Sequence, residues 1–105
     1  RDYLVSKGFP KAHRTALSGG HDTGDINGIV NLHTDAEVAV QCKNQKKFNL
    51  SGWLDATVEQ AERLDNAVPL LVVKRPGKGA HSLDDTYAVM RLCDVVSLLK
   101  EANYV

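Results

Sequence analysis

Two short apolar segments of the chain carry polar side chains whose types and spacing could perform chemistry. Asp25 opens the segment GDINGIVNLH, and Gln41 and Lys43 end the segment EVAVQCK. A carboxylate, an amide oxygen and the backbone carbonyl of Cys42 are oxygen ligands of the kind that Mg²⁺ prefers, with Mn²⁺ as an alternative. A lysine amine beside the attacking water could orient that water and offset developing charge. These residues are therefore candidates for metal-dependent hydrolysis of a phosphodiester.

A β-hairpin is the element that would bring these residues together. The segment TDA at 34–36 reads as the turn between the two apolar segments. Alternate residues of a strand lie on one face, so Gln41 and Lys43 are expected to project from the same side. A non-catalytic interpretation stays open, because Gln41 could be an ordinary polar residue at a strand edge. Lys43 could equally be an edge charge that discourages aggregation.

Helical periodicity occurs in three parts of the chain. Residues 1–7 favour a short helix, and residues 94–104 favour a closing helix with Asp94 at its start. The clearest helix lies within 49–68, where Ser51 can serve as the N-cap. Its predicted apolar stripe, at helical spacing, consists of Trp53, Leu54, Val58, Ala61 and Leu64.

Two further segments predict strands. The nearly continuous apolar run PLLVVKRP is typical of an interior strand of a sheet, and TYAVMRL predicts another strand after a loop at 77–85. A hairpin followed by a helical crossover gives a mixed sheet with helices packed against it. We therefore predict one α/β domain over residues 1–105, with a mixed β-sheet flanked by α-helices.

The composition excludes several classes of protein but does not indicate a binding partner. The chain has 13 basic and 13 acidic residues, so the net charge of zero selects no ligand. Cys42 and Cys93 lack a repeated spacing and predict neither a disulfide framework nor a zinc site. The sequence contains no bilayer-length apolar stretch and no secretory signal pattern. We expect a reduced, cytoplasmic protein, and the start at Arg1 favours a first helix that is truncated.

The spacing of these motifs resembles a known nuclease family. GDINGI followed by EVAVQCK resembles the core of the PD-(D/E)XK nucleases, in which an Asp precedes a strand that ends in Glu-X-Lys or Gln-X-Lys. Residues 13–29 resemble the approach to the active-site Asp in the resolvase-like branch, and residues 49–79 resemble its following helix and third strand. That branch includes phage and archaeal Holliday-junction resolvases and the catalytic domains of some restriction enzymes. The overall likeness is greatest to the phage-encoded resolvases.

The resemblance implies a restriction-endonuclease-like fold and a role for each matching position. Asp25 and Gln41 match the metal ligands, and Lys43 matches the catalytic lysine. The backbone carbonyl of Cys42 would complete the ligand set for Mg²⁺. Gln60 matches a polar helix residue that related nucleases place beside the site.

Two departures from the family pattern bear on metal binding. Gln41 stands where most members have Glu, so the site has one negative charge fewer and a lower metal affinity is expected. Many members also carry a Glu on the first helix, and residues 1–11 contain none; such a Glu would have to lie upstream. Asp22 is a possible substitute carboxylate, although a turn-forming role is the stronger interpretation, and His21 could contact phosphate.

The expected partner is branched or duplex DNA. The candidate DNA contacts are Arg14, Lys46, Lys47, Gln60, Lys74, Arg75 and Lys78. Cations of this kind bind phosphate and position the duplex without reading its sequence, which suits recognition of a branched shape. The resemblance also implies a homodimer, because two symmetric cuts need two sites, and a bacterial host cell if the protein is phage-encoded.

Three other functions fit the same residues. The first is a restriction-type or repair nuclease domain from a longer chain. The second is a catalytically inactive nuclease fold that only binds DNA. The third is a structural module that uses the hairpin for protein pairing, which predicts no salt-dependent DNA binding.

Overall fold

A hairpin, a crossover helix and a final antiparallel strand build one mixed sheet. The computed structural model describes residues 1–14, 24–64, 66–77 and 80–105. The described strands are β1 (His13–Arg14), β2 (Gly24–Asn27), β3 (Glu37–Lys43), β4 (Ala67–Val73) and β5 (Tyr87–Val89). They lie side by side in chain order, and β3 with β4 is the parallel pair among them.

Three α-helices accompany the sheet within the described ranges. They are α1 (Asp2–Ser6), α2 (Leu50–Glu62) and α3 (Leu92–Glu101), and a 3₁₀ helix spans Ala80–Asp85. Parallel strands cannot be joined by a tight turn, and α2 provides the crossover between β3 and β4. None of these helices has the length and apolar character needed to span a membrane. The predicted mixed α/β sheet with flanking helices is therefore confirmed.

The two central strands are covered on both faces, which explains their apolar sequences. On the face that carries α2, Trp53 packs with Leu71 and Val73. On the other face, Ile26 and Val40 form a second cluster with Ala12, and Leu4 of α1, Ile29, Leu70 and Val72 pack against it. β3 is therefore the middle strand of the sheet, and its residues 39–41 are buried.

The start of α2 differs from the sequence prediction. Asn49, rather than Ser51, is the N-cap, and its Oδ1 accepts a hydrogen bond from the Gly52 N–H at 3.2 Å. A Cβ at Gly52 would approach Asn49 Nδ2 to 2.5 Å, so glycine leaves room for this cap. Both Asn and Ser are good caps, and the direction of the incoming chain decides between them.

Other boundaries also depart from expectation. Residues 13–14, for which no strand was predicted, form the short strand β1, and the loop expected at 77–85 contains the 3₁₀ helix. β2 stops at Asn27 because Gly28 adopts a φ of 91°, and a Cβ there would collide with the carbonyl oxygen of Lys11. The helix predicted over residues 1–7 ends before Gly8, whose φ of 105° is the left-handed conformation that commonly follows a helix.

Candidate functional site

The strand register places positions 25 and 41 directly opposite one another. β2 and β3 are antiparallel, with Asp25 the Cα partner of Gln41 and Gly24 the Cα partner of Cys42. Residues that face each other across an antiparallel pair lie on the same face of the sheet. The backbone therefore assigns positions 25 and 41 to one face, although the side chain of Asp25 lies outside the described part of the structure.

Backbone hydrogen bonds show which kind of pair this is. The carbonyl of Lys43 accepts a hydrogen bond from the Lys74 N–H at 3.0 Å, so Lys43 directs its backbone groups toward β4. Backbone direction alternates along a strand, and Gln41 therefore also faces β4 while Cys42 faces β2. Asp25 and Gln41 form the pair without mutual backbone hydrogen bonds, whose Cα atoms are closer, about 4.5 Å apart. The Cys42 carbonyl points toward β2, the strand that carries Asp25.

Gln41 is a buried polar residue on the face that α2 covers. Its side chain is only 7% exposed, and Thr57 of α2 beside it is 0% exposed. The Thr57 hydroxyl lies 2.9 Å from Gln41 Oε1 and 2.8 Å from the carbonyl oxygen of Trp53. A buried amide costs stability unless it is hydrogen-bonded, and Thr57 provides such a partner for Gln41.

The hydroxyl of Thr57 has one proton and cannot donate to both neighbours. In one arrangement it donates to Gln41 Oε1. In the other it donates to the Trp53 carbonyl, and the Gln41 amide, rotated by half a turn, donates its N–H to Thr57. Oxygen and nitrogen of an amide are exchanged by that rotation. The second arrangement directs Gln41 Oε1 away from Thr57, so it can serve as a ligand.

Lys43 is the last residue of β3 and lies two residues after Gln41, on the same face of the sheet. Its Cα partner in β4 is Val73, whose partner in β5 is Tyr87. Lys43 is half-buried, and no carboxylate among the described side chains lies within ion-pair distance of its amine. Among the described residues, the charge of Lys43 is therefore not neutralised by an ion pair.

Further basic residues leave the sheet at the same edge. Lys46 and Lys47 follow β3, and Lys74 and Arg75 follow β4; we call these four residues the basic rim. The carboxyl ends of parallel strands lie at one edge of a sheet, and the hydrogen bond between the Lys43 and Lys74 backbones holds the two exits side by side. The structure thus brings together four of the predicted phosphate contacts beside Lys43.

Aromatic residues adjoin the basic rim, and sequence analysis missed their grouping. Phe48 lies 5.9 Å from Trp53 and 6.2 Å from Tyr87, measured between ring centroids. The Arg75 guanidinium carbon lies 5.3 Å from the centre of the Tyr87 ring. Phe48 directly follows the two lysines of the rim, which was the available signal, but Tyr87 is distant in sequence and joins them only through β5.

The remaining predicted contacts have separate outcomes. Arg14 is the Cα partner of Ile26, which packs on the face opposite Gln41, so it is not brought to this place. Gln60 lies three residues after Thr57 on α2, and its role beside the site stays a prediction. Lys78 lies outside the described residues, as do the secondary candidates His21 and Asp22.

The donors at this end of the hairpin fit a divalent cation in type but supply little charge. The Cys42 carbonyl has two lone pairs, so it can accept a ladder hydrogen bond and still coordinate. With the Asp25 carboxylate and the Gln41 amide, it would make an all-oxygen set of the kind that Mg²⁺ or Mn²⁺ takes. Within the described part of the chain no three His, Cys, Asp or Glu side chains group together. The predicted ligand set consists of one carboxylate and two neutral oxygens.

A shallow cavity of about 240 Å³ lies elsewhere, at the opposite end of β3. Ile29, Val38, Val68 and Leu98 line it, with Glu37 and Glu101 among its polar residues. It opens on the sheet face opposite Gln41 and at the far end of the strand from Lys43. It is therefore separate from the candidate site.

Comparisons of this chain with family models, with curated proteins and with solved structures found no match.

Proposed function

We propose that this chain is a metal-dependent endonuclease that hydrolyses phosphodiester bonds of branched DNA, with a restriction-endonuclease-like fold. The observation that carries the proposal is the register of the hairpin. It pairs Asp25 with Gln41 and sets Lys43 next on the same face. The order of hairpin, crossover helix and interior strand supports it, because this is the order that the resemblance to PD-(D/E)XK nucleases implies.

Each residue of the site has a separate task in this proposal. Asp25, Gln41 and the Cys42 carbonyl would hold Mg²⁺, which when bound polarises the scissile phosphate and lowers the pKa of water. Thr57 holds the Gln41 amide in place from the α2 side. The Lys43 amine orients the attacking water by hydrogen bonding and offsets the negative charge that grows on the phosphate.

The basic rim would hold the DNA backbone next to the site. Its residues contact phosphates, which carry no sequence information, so shape and flexibility of the DNA decide the substrate. Cutting a four-way junction symmetrically requires two sites, and we extend the proposal to a homodimer. Such an enzyme would act in the cytoplasm of a bacterial cell, where its DNA substrate is.

Cleavage of defined DNA substrates tests the proposal. Labelled four-way junction, flap and linear duplex are incubated with the protein, with Mg²⁺ or with chelator. We expect Mg²⁺-dependent cutting of the junction, and loss of cutting in Lys43→Ala with junction binding kept. Lys100→Ala on α3, an exposed lysine outside the site, is the matched control. Cutting by Lys43→Ala at the control's rate would refute the assigned site.

A second function is favoured by one observation, the weak charge of the ligand set. With Gln41 in place of a carboxylate, the fold could bind DNA without cutting it. This alternative predicts salt-dependent junction binding and no cleavage by the wild-type protein with either Mg²⁺ or Mn²⁺. A restriction- or repair-type nuclease would instead cut linear duplex or flap as well as the junction.

A further inference from the structure

We propose that Phe48, Tyr87 and Arg75, here called the stacking cluster, form a binding surface for an unpaired nucleobase. The inference rests on the proposed function, because it names the part of the DNA that is recognised beside the proposed catalytic site. It specifies a substrate in which at least one base near the cut is unstacked, as at a junction, a flap or a single strand.

The first support is the exposure of two aromatic rings. Phe48 is 37% exposed and Tyr87 is 41% exposed, whereas Trp53 behind Phe48 is only 8% exposed. Trp53 belongs to the core with Leu71 and Val73, so it forms a rigid base under the Phe48 ring. Phe48 and Tyr87 meet nearly edge to face, at 89°. Rings fixed in this way lose little freedom when a base packs on them.

The second support is the positive charge that accompanies the rings. The Arg75 guanidinium lies over Tyr87, and its Nη1 lies 3.4 Å from the carbonyl oxygen of Asp85, which holds the group in position. Guanidinium planes and aromatic rings are the two surfaces on which proteins stack single-stranded bases. Lys47 directly precedes Phe48 in the basic rim. A ligand that is flat, aromatic and anionic, such as a nucleotide, matches this combination.

The third support is the position of the cluster relative to Lys43. The ladder runs Lys43, Val73, Tyr87, two strand spacings across the same face. At about 4.8 Å for each spacing, the backbones of Lys43 and Tyr87 are roughly 10 Å apart. That distance is about three times the ~3.4 Å rise of stacked DNA, and an unstacked strand covers it in fewer nucleotides. A base bound at the cluster would therefore lie no more than about three nucleotides from the phosphate at Lys43.

Binding of short single strands in chelator tests the cluster without any need for cleavage. The probes are a fluorescent oligothymidylate and an abasic oligonucleotide of equal length, which has the same phosphates and no bases. We expect the wild-type protein to bind the oligothymidylate more tightly. Tyr87→Leu and Phe48→Leu, which keep apolar bulk and remove the ring, should each weaken that binding by about fivefold or more. Neither should change binding of the abasic strand.

Two control variants separate stacking from loss of structure. Tyr87→Phe keeps the ring and should bind oligothymidylate within about twofold of the wild type. Tyr104→Leu removes a 69% exposed tyrosine after α3 and should have no effect. The inference would be overturned if the wild type bound the two probes with equal affinity or bound neither of them. It would also be overturned if Tyr87→Leu weakened the binding of both probes equally. Junction cleavage that depends on Lys43 can still be observed in that case, so the two proposals fail independently.

Discussion

Replacing Thr57 by Val tests whether α2 holds the Gln41 amide. Valine has nearly the same shape as threonine and lacks the hydroxyl, so the packing is kept while the hydrogen bonds at 2.9 and 2.8 Å are lost. Both residues are buried, and water cannot replace the missing partner. A buried amide left unsatisfied costs about 1–3 kcal/mol. We expect the free energy of unfolding to fall by about 1–2 kcal/mol once the added apolar contact is allowed for.

A double-mutant cycle with Gln41→Met isolates this contact. Methionine has similar length and no hydrogen-bonding amide, so in that background Thr57→Val should lose only the contact with the Trp53 carbonyl and should cost less than it does beside Gln41. Urea unfolding of the four proteins gives the coupling energy, expected at about 1–2 kcal/mol, and Tm of the single variant should fall by roughly 5–10 °C. A coupling energy below about 0.5 kcal/mol would refute the argument, because independent sites add within that margin.

Two further predictions concern charge. Gln41→Glu adds a carboxylate opposite Asp25 and should increase the affinity for Mg²⁺ by at least about tenfold, since close unlike charges at a partly buried site interact by several kcal/mol. Calorimetric titration of the intact protein with Mg²⁺ measures this affinity. An unchanged affinity would count against a cation at this position. The second prediction concerns the Tyr3 hydroxyl, which donates to Asp84, while Lys7 lies 3.6 Å from the same carboxylate. The hydrogen bond from Tyr3, followed by the charge of Lys7, lowers the pKa of Asp84, and the bond to Asp84 raises the pKa of Tyr3. The contribution of Asp84 to the stability of the folded state is therefore present above its unfolded pKa and lost as pH falls below about 4. The contribution of Tyr3 to that stability is lost as pH rises above about 10. Asp84→Asn should reduce the loss of thermal stability at both extremes, and an unchanged pH profile would contradict the contact.

Local pattern was sufficient for the elements that depend on burial alone. The strand over residues 37–43 and the assignment of its two faces followed from period two, and the structure confirms them: Val40 packs in the cluster on one face and Gln41 contacts α2 on the other. The helix after it followed from its apolar stripe, in which Trp53 and Ala61 are buried as predicted. Thr57 was missed, because a threonine on a helix is ordinarily read as a solvent-facing residue unless a buried partner is known.

The pairing of residues across elements was decided by tertiary structure. Sequence spacing suggested that Asp25 and Gln41 converge, but only the register makes them direct neighbours, since a slip of one residue would move position 25 to the other face. The meeting of Phe48 with Tyr87 depends on β5 pairing with β4, a contact between residues 39 positions apart in the chain. Such long-range contacts arise from the pairing of strands and the packing of the two faces of the sheet, and no local periodicity encodes them.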